Sequence, residues 1–173
     1  MTEPSLESSI LELPLIDNLD FSARDLPRNG IYFMFERGEG ERIVRVGTHR
    51  GEGRLYDRLR DHYGTRRSFR AWRRTSDLRY HVGAALLNRD ADPHLTAWLD
   101  RKGERMRDVE ALVTERLHRD FTFRVLAMDD LNERLAFERS FVAAISASPQ
   151  MSGEWLGHHA IDARIRASGL WNE

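Results

Sequence analysis

The sequence predicts a single α+β domain: a small, mostly antiparallel three-stranded sheet flanked by helices, with a helical insertion and a C-terminal extension. Three observations predict it. Two β-prone segments flank a glycine-bearing turn near residue 38, a third alternating segment begins at residue 121, and helix-period stretches follow the hairpin and bracket the third strand. A chain of 173 residues that is 40% hydrophobic is long enough to enclose one core and too short to expect two.

The first pair is "GIYFMFE" (30–36) and "RIVRVGT" (42–48), rich in aromatic and β-branched residues and joined by Arg37-Gly38-Glu39-Gly40. If the turn is the pair Gly38-Glu39, Tyr32 stands opposite Arg45, where a cation would stabilise a phenolate. A turn longer by one residue breaks that pairing. "RLYDRLRDHYG" then places Leu55, Leu59 and Tyr63 at helical spacing, with Gly64 as a stop.

Residues 65–107 form the insertion; its helix-like pieces are interrupted by Gly83 and Asp92-Pro93, and no single element can be drawn there. "DVEALVTERLHR" sets Val109, Leu112, Val113 and Leu117 on one face behind an Asp108 cap. "FTFRVLAM" alternates as the third strand, and Asp130-x-x-Glu133 opens a helix through "DLNERLAFERSFVAAIS". Residues 1–27 read as an acidic arm and residues 147–173 as the extension, which Trp155 and Trp171 are expected to pin to the body.

Composition excludes several chemistries. With no cysteine there are no disulfides, thiolate zinc sites or cysteine nucleophiles. P-loop, dinucleotide, HExxH and GxSxG motifs are missing. There is no run of 18 apolar residues and no basic start to the N-terminus, so a soluble, cytoplasmic protein without membrane contact is expected. The charge is near balance overall yet uneven: residues 41–80 carry twelve arginines against five acids. Such a stretch is either a solvated face or a phosphate-binding surface, since arginine's planar fork matches phosphate.

Two constellations carry candidate chemistry. Arg54, Arg58 and His62 follow one another at i, i+4, i+8 and make one polar stripe on the short helix. On the last long helix the apolar stripe Leu131, Leu135, Val142, Ile145 is completed by Glu138, a carboxylate on the inward face. It must be paired with an arginine, kept at the edge of the core, or bound to a cation. "RRSFRAWRRTSDLR" interleaves arginines with Phe69 and Trp72, which suits backbone contact and base stacking as well as it suits core anchoring. Arg79 and His81 would share a face on a strand and diverge on a helix, and His158-His159 read as structural or surface residues.

The order Gly30-Ile31-Tyr32, then Arg45-Val46-Gly47, then Arg58-x-x-x-His62, then a strand and a helix with Glu138 resembles the GIY-YIG nuclease family over about residues 28–146. Segments "RVGTH", "FRAWRRTSDLRYHVGAALL" and "WLGHHAIDARIRASGLW" look similar to a bacterial branch of that family. The resemblance implies a metal-dependent endonuclease, a phosphodiester hydrolase acting on DNA or, second, RNA. Tyr32 would then hold or deprotonate the attacking water, Arg58 bind the scissile phosphate, His62 assist, and Glu138 ligate Mg²⁺ or Mn²⁺. Arg45 would act as a modifier in place of the second motif's tyrosine, and Arg54, Arg70, Arg74 and Arg79 are the expected nucleic-acid contacts. The family's asparagine after the glutamate helix has no clear match, Asn172 being the only later one. The alternative is a catalytically degenerate domain that binds nucleic acid or protein.

Overall fold

The computed structural model describes residues 6–37, 41–64, 72–147, 149, 151 and 153–172, with side chains from residue 9 onward. Helix α1 is Leu6–Leu11 and strand β1 is Leu15–Ile16. The hairpin follows as β2, Gly30–Arg37, and β3, Glu41–Gly47, and then α2, Leu55–Tyr63. Helices α3, Asp77–Arg89, α4, Leu95–Leu99, and α5, Arg107–Asp120, lead into β4, Phe121–Ala127. Helix α6, Leu131–Ser146, a 3₁₀ turn at Leu156–His159 and α7, Ala163–Ser168, complete the chain.

The sheet is antiparallel throughout, in the order β1-β4-β2-β3. It has four strands rather than the expected three, because Leu15 and Ile16 of the N-terminal segment pair with Arg124 and Phe123. That segment is fastened further by Asn18, whose amide donates to the carbonyls of Leu117 and His118 at 3.3 Å and to that of Phe121. Two buried apolar clusters cover the two faces of the sheet. Tyr32, Met34 and Phe123 turn towards α2, α3 and α5, and Ile31, Phe33 and Phe35 turn towards Phe137 and Phe141 of α6. This is the inside-outside alternation of strands buried on both faces.

The insertion resisted reading for a physical reason. Helix α3 is buried nearly all round, from Leu78 to Leu87, so it carries no one-sided apolar stripe. Gly83 does not interrupt it; a Cβ there would stand 2.3 Å from the Trp98 ring, so glycine lets α4 lie close against α3. On α5 the inward face is Val109, Glu110, Val113 and Leu117, whereas Leu112 is 52% exposed. The α5 cap is Met106 without a side-chain bond, which leaves Asp108 in the first turn. On α6 the Asp130 side chain accepts from the Glu133 N–H, as the sequence expects.

The charge inside α5 is compensated in full. Glu110 Oε2 accepts from Arg79 Nη2 at 2.8 Å and Nε at 3.1 Å, and Glu110 Oε1 accepts the Arg73 N–H at 2.8 Å. Removing Glu110 would leave Arg79 buried and unpaired, so Glu110→Ala is expected to cost about 3–5 kcal/mol. Gly83→Ala should cost about 1–3 kcal/mol through overpacking against Trp98. Urea denaturation of the two variants beside wild type reads both numbers.

Candidate functional site

The site lies where the ends of β2 and β3 meet α2. Tyr32 is 1% exposed, and its hydroxyl stands 2.8 Å from His62 Nε2. The other ring nitrogen of His62, Nδ1, lies 2.6 Å from Ser76 Oγ. Opposite Tyr32 across the hairpin is Gly47, where a Cβ would fall 2.2 Å from the Tyr32 hydroxyl. The glycine that closes β3 therefore has a steric cause: the phenol occupies the space of its side chain.

Arg45 does not pair with Tyr32. The strands join at Arg37↔Glu41, one residue beyond the two-residue turn, and a bulge between Met34 and Phe35 adds a second offset. Tyr32 thus faces Gly47 and Arg45 faces Met34. Two single-residue slips restore the parity, so Arg45 keeps the face of Tyr32 two pairs further along. The residues of the turn itself, 38–40, lie outside the described residues. Arg45 is 7% exposed, donates to the Trp171 carbonyl and makes no ion pair among the described residues.

The row Arg54, Arg58, His62 runs inward. Arg54 is exposed and pairs with Asp57 at 3.1 Å, Arg58 is half-buried and donates to the Thr75 carbonyl at 3.3 Å, and His62 is fully buried. Burial, together with the positive charges of Arg58, Arg45 and Arg79, pushes the His62 imidazole well below its ordinary range, so it is neutral. Beside this row an open cleft of about 420 Å³ is lined by Thr48, His49, Arg50, Gly51, Arg54, Asp57, Arg58 and Asp61.

Glu138 is half-buried, as an inward carboxylate should be, but its neighbours differ from those expected. The face of α6 that meets the sheet runs Arg134, Phe137, Phe141, with Ile145 and Val142 beside it, and Glu138 borders that face. Burial raises its pKa, and the positive charges of Arg45, Arg58 and Arg50 oppose that rise. Among the described residues it makes no ion pair.

The remaining candidates separate. Arg79 is fully buried, and its guanidinium serves Glu110, Thr114 Oγ1 at 2.8 Å and the His62 carbonyl at 3.1 Å. It faces the core, so it does not belong to a nucleic-acid surface. Arg74 is exposed and lies 4.6 Å over the Trp72 ring. Arg70, like Phe69, falls outside the described residues. Trp155 and Trp171 are both buried and 5.6 Å apart, and they hold the C-terminal segment as expected.

Several supporting residues had no motif to announce them. His49 Nδ1 lies 2.6 Å from the Gly51 carbonyl, which only accepts, so Nδ1 carries the proton while Nε2 faces the Gly30 N–H at 3.4 Å. Asn29 accepts from the Gly53 N–H at 2.8 Å and donates to Glu52 at 3.0 Å. Arg134 is 1% exposed and donates to the carbonyls of Met128, Asp129 and His49. Together they hold the 48–53 loop against the start of β2 and the β4–α6 connection. Asn172 returns to the site end of β3, accepting from the Val46 N–H at 3.0 Å and donating to the Val46 carbonyl at 2.6 Å. It extends the strand ladder rather than facing the cleft.

The neutral His62 has a measurable consequence. The unfolded chain binds a proton below His62's ordinary pKa of 6.5 that the folded chain refuses, so stability falls as pH drops through that value. The slope from this group is about 1.4 kcal/mol per pH unit. In His62→Asn that slope should vanish between about pH 6.5 and pH 5 while the other titrations remain, which urea midpoints across pH would show.

Among the described residues no helix is long and apolar enough to cross a membrane. No curated protein and no solved structure matches this chain. The family model of the GIY-YIG domain, however, matches residues 15–173, a span that takes in β1, both sheet faces, the cleft and the C-terminal segment that seals β3. With that match and the Tyr32–His62–Gly47 arrangement together, the chain belongs to the GIY-YIG domain family, a family of nucleases.

Proposed function

We propose that this protein is a divalent-metal-dependent endonuclease that hydrolyses phosphodiester bonds in DNA. The observation that carries the reading is Glu138. The core holds another inward carboxylate, Glu110, and that one is fully consumed by Arg79 and Arg73. Glu138 has burial without an ion pair among the described residues and three arginines acting on it from a distance, an arrangement the fold does not need for its own stability.

The residues fit a sparsely held ion. Among the described residues no group of three or more His, Asp or Glu could cage a metal, and Mg²⁺ needs none, because it keeps several waters and borrows phosphate oxygens. Glu138 would hold Mg²⁺ or Mn²⁺, and the ion would neutralise charge on the phosphoryl oxygens when bound. Arg58, at the cleft wall, would bind the scissile phosphate with its guanidinium fork. Tyr32 would orient or deprotonate the attacking water, with His62 fixing the phenol. Arg45 adds positive charge on the same face of the sheet, and the exposed cations Arg50, Arg54 and Arg74 supply contacts to the phosphate backbone.

Two observations favour a second reading, a degenerate domain that binds nucleic acid without cutting. Arg45 stands where the second motif has a hydroxyl, and Tyr32 is 1% exposed. One experiment separates the readings: cleavage of supercoiled plasmid and single-stranded DNA with Mg²⁺ or Mn²⁺, beside a mobility shift at several salt concentrations. Wild type is expected to cut, whereas Tyr32→Phe and Glu138→Gln bind with wild-type affinity and cut slower by roughly 10²-fold or more. Because burial raises its pKa, Glu138 destabilises the folded state once ionised, so Glu138→Gln should be more stable than wild type at pH 7. Salt-sensitive binding with no cleavage by wild type would support the second reading instead.

A further inference from the structure

The hydrogen-bond chain behind Tyr32 does not end at His62. It continues to Ser76, a residue of the insertion, which is 1% exposed and caps α3 by accepting the Arg79 N–H at 3.2 Å. The chain therefore reads Tyr32 hydroxyl, His62 Nε2, His62 Nδ1, Ser76 Oγ, α3 N-terminus, with contacts of 2.8, 2.6 and 3.2 Å. Its charged surroundings are Arg58 from α2, Arg45 from β3 and Arg79 from α3, with the Tyr63 phenol next to Tyr32.

Three hydrogens, one each on Ser76, His62 and Tyr32, serve the two contacts between these side chains, so one hydrogen must point out of the chain. If it points out at Ser76, the hydroxyl already accepts from the Arg79 N–H and from His62 Nδ1, and its own proton meets no acceptor among the described residues. If it points out at Tyr32, Ser76 donates to Nδ1, Nε2 donates to the phenol oxygen, and the last proton belongs to the phenol. Tyr32 lies between Gly47, whose successor Thr48 lines the cleft, and α2, whose Arg58 lines it too. On the nuclease reading the Tyr32 hydroxyl acts on a water from the cleft, so a proton there has a recipient, whereas one under the N-terminus of α3 has none among the described residues.

We propose that Ser76 is a positioning residue that holds His62 as the Nε2–H tautomer, so that His62 donates to the Tyr32 oxygen and the Tyr32 proton leaves towards the cleft. The proposal deepens the nuclease reading and rests on it for its catalytic meaning. On this arrangement His62 is not the base that accepts the phenolic proton. It is a donor that stabilises the phenolate as it forms, and the insertion supplies the group that sets its direction. The reverse tautomer would invert the two side-chain bonds, with Nδ1 donating to Ser76 and Nε2 accepting from Tyr32, and leave the Arg79 N–H donating to Ser76.

The test begins with an observable independent of cleavage, the ¹⁵N spectrum of His62 in the full-length protein. Wild type and Ser76→Thr, which keeps hydroxyl and cap, should show a protonated Nε2 and an unprotonated Nδ1. Ser76→Asp also keeps the cap but places a carboxylate at Nδ1, so Nδ1 should become protonated. Cleavage follows as a second readout. Ser76→Asp should lower kcat roughly 10-fold with KM unchanged, less than the roughly 10²-fold or more expected for a directly acting acid or base. The pH of half-maximal cleavage should rise in Ser76→Asp and return in Ser76→Thr. A merely structural serine would shift thermal stability and leave that pH profile alone. A protonated Nδ1 in wild type overturns the proposal whatever the activity. A protonated Nε2 in a wild type that never cuts upholds the tautomer assignment and overturns the nuclease reading alone.

Discussion

The buried pair of Arg79 and Glu110 ties several otherwise separate parts together. One guanidinium joins α3 to α5 through the Glu110 carboxylate and Thr114, and joins both to α2 through the His62 carbonyl. Glu110 in turn fixes the backbone at Arg73, ahead of the turn whose Thr75 carbonyl receives Arg58. Desolvating two charges is costly, and the pair persists because nearly every donor and acceptor on it is used. The residues on either side of this network, His62 and Arg58, are those that face the phenol and the cleft, so a core interaction sets their geometry.

Glu110 and Glu138 illustrate how one residue type serves two ends. Both lie on the inner half of a helix, and both would be costly there alone. Glu110 meets an arginine at bonding distance, which removes its charge from consideration as a reactive group. Glu138 meets its arginines only through space and makes no ion pair among the described residues. The same comparison sorts the arginines: Arg79 is spent inside, while Arg58 and Arg45, near the cleft and the sheet end, make no ion pair among the described residues.

The edge of the sheet nearest the site is closed by the chain's own C-terminal segment. The Trp171 N–H donates to the Val44 carbonyl at 2.6 Å, and the Asn172 amide pairs with both backbone groups of Val46. An edge strand left open presents a row of unpaired donors and acceptors, and here the stretch that carries Arg45 and Gly47 is covered instead. The loop beyond it, with His49 as a neutral clamp and Arg134 beneath, is held by backbone carbonyls and by the bond from Asn29 to the Glu52 carboxylate. The site is thus fixed on both sides of β3 by groups with little local sequence signature.

The sequence by itself determined the hairpin, α2, α5, β4, α6 and the family order that runs from Tyr32 to Glu138. Each of these elements has one buried face or an alternating pattern, and such periodicity is local information. Helix α3 escaped because burial on all sides erases periodicity, and β1 escaped because two residues are too few to show any. Register needed the tertiary structure: a bulge is one residue of slip with no marker in "RIVRVGT", and together with the longer turn it decided that Gly47, not Arg45, lies against Tyr32. Which arginines face solvent was likewise undecidable locally, since Arg74 and Arg79 share a composition and differ only in what packs on them. Ser76 lies in the stretch where the sequence defines no element, and the structure shows it as the cap of α3. Its contact with His62 exists only because Arg79 and Glu110 bring the start of α3 beneath the end of α2.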